Sequence, residues 1–525
     1  MRRAIAWCFA LSCVLASAAS AEEKPAPGKD TPIKAELDAI VDQAGARYRL
    51  PGIAVGVIED GKIVYIGTRG ETASGSGRPI TPNTLFKIAS NSKAMTASVL
   101  ARLVDAGKLR WDDPVIKYLP SFRMYDPWVT RNMQVKDLLV HNSGLPEGGG
   151  DLMLWPEPNR FTRSDIIAGL AHIKPAYSFR SGYAYDNLLY VVAGEVAAAA
   201  GGASYEELVQ RELFQPLGLS RCRVGAWRSD QVSDVAQPHA SVDGRNVPTN
   251  VDGAEVAPLV SAAAGGIRCS VSDMLAWANN WLAPDARQQA WLSSEQRQAA
   301  WVPRTPMPVS ARRRAWDGTR LFAYGYGWRI ADVDGEYTVS HTGTLSGMYS
   351  VMTLLPNRKS GFVVLMNGEA DEARTVLNEM LLKRFTKPGQ NRGVAYYADE
   401  LARESASKPS TAQSSAVERT APVTERFRQW FGVYRDPWFG QARICPEGGH
   451  ARFVAEKSPM LAGRIMRSGS RYLVDWDHDS VDAEAWLDFH EGTASQPARL
   501  TMAKIDPEAD FSYDYEDLAF ERIRG

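Results

Sequence analysis

The chain has 525 residues, of which 45% are hydrophobic, so it is long enough for more than one compact domain. Its 60 Lys and Arg side chains nearly balance 61 Asp and Glu side chains, which leaves a formal net charge of −1. This balance gives no basic footprint for nucleic acid or an anionic membrane, so we expect no nucleic-acid partner. The histidines are scattered, without the close His/Cys pairs of zinc sites, and we expect no metal and no cofactor.

The N-terminus has the pattern of a secretory signal peptide. Two arginines are followed by an apolar run from Ala4 to Leu15 and then by small residues that end at Ala21. This pattern predicts that residues 1–21 are removed during export. Because the apolar run is too short to span a bilayer, we expect a periplasmic or secreted protein without a transmembrane anchor.

Three of the five cysteines remain after this cleavage, namely Cys222, Cys269 and Cys445. An odd number at wide spacing is not a disulfide framework, although one bridge is permitted in an oxidising compartment. The sequence leaves open whether any two of them are joined.

A first domain is predicted over residues 30–390. Residues 33–48 carry apolar positions at helical spacing, and Gly52–Glu59 with Lys62–Thr68 predict a β-hairpin around Asp60-Gly61. Strands at both ends of the domain, with helices between them, predict an α+β fold whose sheet is assembled from distant segments. The remaining predicted elements are helices at Ser92–Asp105, Asp137–Val140, Asn187–Ala200 and Glu369–Phe385, and strands between Tyr337 and Asn367.

A second domain is predicted over residues 425–525, after a helix and linker at 391–424. Residues 403–424 are rich in Ser, Ala, Thr and Pro, which is linker composition. Short aromatic-rich runs beyond it, such as RYLVDW at 471–476 and AWLDFH at 485–490, are spaced as in a small antiparallel sheet or barrel.

Ser90 and Lys93 form an S-x-x-K motif at the start of a predicted helix. A spacing of three puts both side chains on one helical face, and a partly desolvated lysine can take the proton of a serine hydroxyl. The pair is therefore a candidate nucleophile and base. Alone the motif is weak, because residues 405–408 in the linker region match it as well.

Two further motifs follow in order: Tyr185-Asp186-Asn187 and, in a predicted strand, His341-Thr342-Gly343. S-x-x-K, Y-x-N and a K/H-x-G strand in this order resemble the penicillin-recognising serine hydrolases, the superfamily of class C β-lactamases, D-aminopeptidases and DD-peptidases. The segments HNSGLP at 141–146 and YGYGW at 324–328 support the likeness. The resemblance covers about residues 33–385 and implies an antiparallel sheet flanked by helices, with a helical subdomain.

The resemblance also implies roles for these residues. Ser90 would attack an acyl carbonyl while Lys93 and Tyr185 manage the proton, with Tyr185 acting as a base if flanking cations lower its pKa. Asn187 would hydrogen-bond Lys93 or the substrate amide, and the N–H groups of Ser90 and Thr344 would hold the oxyanion. The substrate-binding candidates are Asn187, His341, Thr342, Gly343 and Thr344.

His341 stands where β-lactamases and most DD-peptidases carry a lysine that holds the substrate carboxylate. A histidine is largely neutral at pH 7, so recognition of that carboxylate is weakened. The resemblance to the D-aminopeptidase and esterase branches therefore implies an amide or ester hydrolase that acts on a small molecule or short peptide, with D-residue peptides favoured. The alternatives are a class C-like β-lactamase and a non-catalytic sensor or cell-wall binding module.

Two other segments are informative. Gly148-Gly149-Gly150-Asp151 predicts a loop near the cleft, and His141 in HNSG is interpreted as structural. The C-terminal segment that opens at Trp430–Trp438 resembles the lipocalin-like barrel appended to some members of the superfamily, one of which oligomerises through it. This resemblance implies self-association through the C-terminal domain.

Overall fold

The structure is a computed structural model that describes residues 32–407, 419–421, 427–493 and 495–523. The predicted signal peptide and most of the predicted linker lie outside the described residues. The helices are α1 Pro32–Tyr48, α2 Ser92–Asp105, α3 Pro127–Asn132, α4 Arg163–Gly169, α5 Leu188–Gly201, α6 Tyr205–Val209, α7 Gln215–Leu217, α8 Ala262–Gly265, α9 Val271–Leu282, α10 Ala286–Trp291, α11 Ser294–Ala300, α12 Ala311–Asp317, α13 Asp371–Thr386 and α14 Val394–Ser407.

The strands fall into one large sheet, one barrel and three short pairs. Those before the barrel are β1 Gly52–Glu59, β2 Lys62–Gly70, β3 Phe86–Lys87, β4 Trp227–Arg228, β5 His239–Val242, β6 Arg245–Pro248, β7 Glu255–Val256, β8 Arg268–Cys269, β9 Thr305–Pro306, β10 Phe322–Tyr324, β11 Arg329–Val333, β12 Glu336–Leu345, β13 Met348–Leu355 and β14 Ser360–Met366. Those of the barrel are β15 Gly432–Asp436, β16 Gly440–Glu447, β17 His450–Ala455, β18 Ala462–Ser468, β19 Arg471–Trp476, β20 Ala485–His490, β21 Arg499–Lys504 and β22 Ala519–Arg522.

The large sheet has eight antiparallel strands in the order β2-β1-β14-β13-β12-β11-β10-β9. The N-terminal hairpin meets the C-terminal strands through β1 and β14, where Ile53 is opposite Met366. Side chains alternate between the two faces, so Ala54 packs into one hydrophobic cluster and Val55 into the other. This arrangement confirms the predicted α+β fold, in which distant segments build one helix-flanked sheet.

Helix α2 brings the first motif into the interior. It packs among α5, α6 and α8, and it is buried along nearly its whole length because apolar and small residues occupy its faces. Lys93 in its first turn is therefore enclosed, although lysine is among the residues least often buried. Such a position needs specific polar partners, which the cleft supplies.

The predicted C-terminal barrel is confirmed, since β15 to β22 close an antiparallel barrel of eight strands. Alternate residues of its strands are buried, as β17 shows over its six residues. The barrel packs on the first domain through Phe439, whose ring centroid is 5.6 Å from that of Phe161. A salt bridge of 2.6 Å between Lys457 and Asp165 lies at the same contact.

A disulfide joins Cys222 to Cys269 and settles the pairing that the sequence left open. Cys269 pairs with Phe86 across β3 and β8, shortly before the turn that carries Ser90. Cys445 is the unpaired cysteine of the described residues. Within the same residues no single helix is long and apolar enough to cross a bilayer, and one pair, Leu188–Gly201 with Tyr205–Leu217, passes that test only with a 77° bend.

Candidate active site

Ser90 lies in a short 3₁₀ turn, Ala89–Asn91, directly before α2. Ala89 has a φ of +48°, a left-handed conformation that is uncommon for a residue with a Cβ. The turn is held on the sheet because Ser350 donates to the Ile88 carbonyl at 2.8 Å and accepts from the Asn91 amide at 2.8 Å. This tethering presents the Ser90 hydroxyl to the adjacent cavity, which Ser90 lines.

The Lys93 amine is fully buried and has three polar neighbours. Its Nζ lies 3.0 Å from the Ser90 Oγ, 2.7 Å from the Asn187 Oδ1 and 2.9 Å from the Ala264 carbonyl oxygen. Burial disfavours the ammonium and lowers the pKa of Lys93 from 10.5 to about 7. A substantial fraction of this amine is therefore neutral at pH 7 and able to accept a proton from Ser90.

Tyr185 lies beside the same two side chains. It lines the same cavity as Ser90, whose hydroxyl acts to lower the pKa of the phenol, and the Lys93 Nζ lies 4.8 Å from the ring centroid. Burial raises the pKa of Tyr185 well above its usual value of 10, and the charge of Arg329 offsets only part of that rise. The expectation that flanking cations lower this pKa is wrong, because desolvation of the phenolate dominates. Tyr185 keeps its proton at neutral pH.

Asn187 links the lysine to a carboxyl group that the motifs did not identify. Its Nδ2 donates to the Asp151 Oδ2 at 2.8 Å, while its Oδ1 accepts from Lys93. Asp151 is fully buried, and burial raises the pKa of this carboxyl from 3.8 to about 8. In the sequence its only signal is the run of three glycines before it, which indicated a loop near the cleft.

Gly343 lets β12 run directly against the Ser90 turn. A Cβ atom there would lie 2.3 Å from both the Ile88 carbonyl oxygen and the Ser350 Oγ, too close for any other residue. Its neighbours Thr342 and Thr344 line the same cavity as Ser90. The H-T-G motif thus contributes a close backbone approach and two hydroxyl side chains to the site.

His341 is fully buried and does not line the cavity. This position corrects the expectation that it contacts the substrate. Its Nδ1 is 2.6 Å from the Thr342 carbonyl, which can only accept, so Nδ1 carries the proton and Nε2 accepts from the Tyr324 hydroxyl at 2.7 Å. Both ring nitrogens are therefore occupied. Burial and the nearby positive charges of Arg329 and Lys93 lower the pKa of His341 well below 6.5, so the ring is neutral.

Two arginines that belong to none of the sequence motifs donate hydrogen bonds to the hydroxyl groups of Thr342 and Thr344. Arg329 Nη1 donates to the Thr342 Oγ1 at 2.6 Å, and Arg374 Nη1 donates to the Thr344 Oγ1 at 2.6 Å. Arg374 also forms a salt bridge with Asp371, so its charge is compensated within the site. Arg329 does not line the cavity, and its charge instead lowers the pKa of both Lys93 and His341.

The cavity measures about 430 Å³, which suits a small molecule or a short peptide. More carboxyl than cationic side chains line it, and the cationic ones are Lys87 and Arg374. Among the described residues no group of three or more His, Cys, Asp or Glu side chains is placed to hold a metal ion. The carboxyl residues that line the cavity are Glu147, Glu157, Glu369, Asp371, Asp482 and Asp510.

Two family models match this chain, one for each domain. Residues 37–384 match the family model described as Beta-lactamase, and residues 417–522 match one described as Domain of unknown function (DUF3471). Among solved structures, the octameric penicillin-binding protein homologue from Pyrococcus abyssi aligns over 93% of this chain and all of that one, with a TM-score of 0.57 and 20% identity. A mutant of a class C β-lactamase aligns over 68% of this chain and 98% of its own, with a TM-score of 0.55 and 21% identity.

Curated relatives match about two thirds of the chain. Esterase EstB from Burkholderia gladioli is 29% identical over 65% of this chain and 91% of its own length. The unguisins hydrolase ungD' from Aspergillus campestris is 27% identical over 64% of this chain, and the match spans 61% of that longer protein. Because the Beta-lactamase model covers well over half of the sequence, the chain belongs to the β-lactamase family.

Proposed function

We propose that this chain is an exported serine hydrolase that cleaves amide or ester bonds through an acyl-enzyme on Ser90. The observation that carries the proposal is the buried Lys93 amine, 3.0 Å from the Ser90 hydroxyl, with a pKa that burial lowers to about 7. A neutral amine in that place is the base that a serine nucleophile needs. The family includes non-catalytic members, and this pair argues for catalysis here.

In the proposed mechanism the Lys93 amine accepts the Ser90 proton as the Oγ forms its bond to the acyl carbon. The carbonyl electron pair moves onto oxygen, where the N–H groups of Ser90 and Thr344 stabilise it. Tyr185, which is protonated, gives its proton to the leaving nitrogen or oxygen and regains one from Lys93. Water then attacks the acyl-enzyme, with the proton transfers reversed, and releases the acid.

The charge of the cleft favours substrates without a carboxylate beside the scissile bond. Burial and the nearby charges of Glu369 and Asp510 raise the pKa of Asp482 to about 6, so this carboxyl group is still mostly ionised at pH 7. His341 carries no charge, and Arg374 is paired with Asp371. We therefore propose substrates with a free amine or no charge. The resemblance to D-aminopeptidases favours peptides bearing D-residues, and the name of the Burkholderia relative supports esters as a second class.

A substrate panel tests this order of preference. We expect D-alanyl p-nitroanilide or a short-chain p-nitrophenyl ester to exceed nitrocefin in kcat/KM by about 10²-fold, because the unfavourable placement of one carboxylate costs roughly 3 kcal/mol. L-alanyl p-nitroanilide is the matched control for stereochemistry. Nitrocefin turnover as fast as that of the amides and esters would instead make the protein a β-lactamase.

Export and self-association belong to the same proposal. The Cys222–Cys269 bridge supports export, since disulfides persist mainly in oxidising compartments. The Pyrococcus abyssi homologue is described as octameric, which supports self-association of this chain, and we propose the C-terminal domain as the contact.

The proposed base predicts the pH dependence of the reaction. We expect kcat/KM for a neutral ester to fall below pH 7 by about tenfold per pH unit, as Lys93 becomes protonated. Negative charge on Asp186 raises the pKa of Lys93, whereas Arg329 lowers it. Asp186→Asn keeps an oxygen that can accept from Ser143 but removes the charge, so the acid limb of the profile should move to lower pH. An acid limb that stays in place or moves upward would contradict Lys93 as the base.

A further inference from the structure

A loop of the C-terminal barrel, residues 510–514 between β21 and β22, reaches into the cleft of the first domain. Its residues Asp510, Phe511, Ser512 and Tyr513 line the same cavity as Ser90. The Phe511 ring stands edge-on to that of Tyr185, with centroids 5.9 Å apart. This loop, termed the barrel loop below, therefore forms part of the wall that a substrate would meet.

The barrel loop is fixed to the first domain by its own polar contacts. Both carboxylate oxygens of Asp514 accept backbone hydrogen bonds, from Gly150 at 2.6 Å and from Leu152 at 3.0 Å. These two N–H groups lie on either side of Asp151, the buried carboxyl of the site. Gly148 also touches the loop, since a Cβ atom there would lie 2.7 Å from the Phe511 carbonyl oxygen.

Ser512 is linked to Lys93 through two intervening side chains. Its hydroxyl donates to the Asp151 Oδ2 at 2.9 Å, the same oxygen that accepts from the Asn187 Nδ2 at 2.8 Å. Asn187 in turn accepts from Lys93 at 2.7 Å. The Asp151 Oδ1 is buried without a hydrogen-bond partner, so the orientation of this carboxyl depends on the two donors at Oδ2. Three consecutive hydrogen bonds thus join the barrel to Lys93.

The packing of the two domains does not require this chain of hydrogen bonds. The barrel already rests on the first domain through Phe439 against Phe161 and through Lys457 with Asp165. Hydrogen bonds are directional, so a chain of them that ends at Lys93 restricts the position of its amine. An active site needs such a restriction to hold a base within reach of its nucleophile.

We infer that the C-terminal domain is a working part of the active site: Ser512 is a positioning residue that orients Lys93 through Asp151 and Asn187, and Phe511 is a specificity residue in the substrate wall. This inference rests on the proposed hydrolase function. It gives a role to a domain whose family model is described as of unknown function.

The test uses the full-length protein and p-nitrophenyl acetate as the probe. Ser512→Ala should lower kcat about tenfold with KM changed less than about twofold, because one hydrogen bond to a buried carboxyl is lost. Ser512→Thr keeps a hydroxyl and should restore most of the activity. Ser470→Ala, at an exposed serine in the turn between β18 and β19, is the matched control and should leave kcat and KM unchanged.

Phe511→Ala provides a second, independent readout. It should change the ratio of kcat/KM for p-nitrophenyl butyrate to that for the acetate by about fivefold, because a wall that contacts the acyl chain is removed. Thermal unfolding of each variant reports whether it is folded, and Ser90 labelling by a fluorophosphonate reports the nucleophile separately.

The outcomes separate this inference from the proposed function. Wild-type activity that Ser512→Ala and Phe511→Ala leave unchanged would overturn the role of the barrel loop while the hydrolase proposal stands. A folded wild-type protein without Ser90-dependent labelling or turnover would remove the proposed function, and this inference with it.

Discussion

Replacing Ser90 by alanine should reduce turnover of any amide or ester substrate by about 10⁴-fold or more, because the covalent route is lost. The variant removes one hydroxyl from a turn that Asn91 and Ser350 hold independently, so the fold should be retained. Initial rates with p-nitrophenyl acetate, measured at matched concentration of folded protein, give the result.

The chain contains its own control for this substitution. Ser405 occupies the same place in the second S-x-x-K match, but it is exposed near the end of α14. Ser405→Ala should leave the rate unchanged. Activity of Ser90→Ala above about one hundredth of the wild-type rate would mean that another group is the nucleophile.

Lys93→Met should lower kcat by about 10³-fold. Methionine fills nearly the same buried volume, so it removes the amine and its bonds to Ser90 and Asn187 while the packing of α2 is kept. General-base catalysis typically supplies 10²- to 10⁴-fold, and here the same group also positions the nucleophile. The control is Lys108→Met at an exposed lysine after α2, which should be active.

The pH profile of Lys93→Met tests whether Lys93 is the base. If Lys93 is the base, the residual activity of the variant should no longer fall below pH 7 in the way expected for the wild-type protein. A variant with near-normal kcat, or one that keeps the same acid limb, would show that the proton goes elsewhere.

The candidate catalytic cluster was predictable because it consists of short sequence motifs. Ser90 and Lys93 lie on one helical turn, and their order with Tyr185 and Asn187 reveals the likeness to a known family. The fold brings these residues together: Lys93 contacts Ser90 and Asn187 directly. The hairpin at Asp60-Gly61 and the helix Ser92–Asp105 were also predicted with nearly their observed bounds, since turn residues and apolar spacing mark them strongly.

Other parts of the site leave no local signal. Asp151 contacts Ser512 across 361 positions of sequence, and only the docking of the barrel creates that contact. Arg374 follows helical spacing in α13 and looks like an ordinary surface residue, yet it holds the Thr344 hydroxyl. Such long-range contacts depend on tertiary packing, which periodicity and turn chemistry do not encode.

The protonation states were predictable only in part. A partly desolvated Lys93 was expected, and burial does lower its pKa, but Tyr185 was also expected to have a lowered pKa and burial raises it. Desolvation penalises whichever form is charged, the phenolate in one case and the ammonium in the other. The depth of burial decides the outcome, and a motif gives no measure of it.

A covalent intermediate on Ser90 can be trapped with a fluorophosphonate. Intact-mass spectrometry of the treated protein, followed by peptide mapping, shows which residue is modified. We expect a single adduct, located on Ser90, which is absent from Ser90→Ala and forms at the wild-type rate in Ser405→Ala. An adduct on another residue, or no adduct on the folded wild-type protein, would contradict the assignment of Ser90 as the nucleophile.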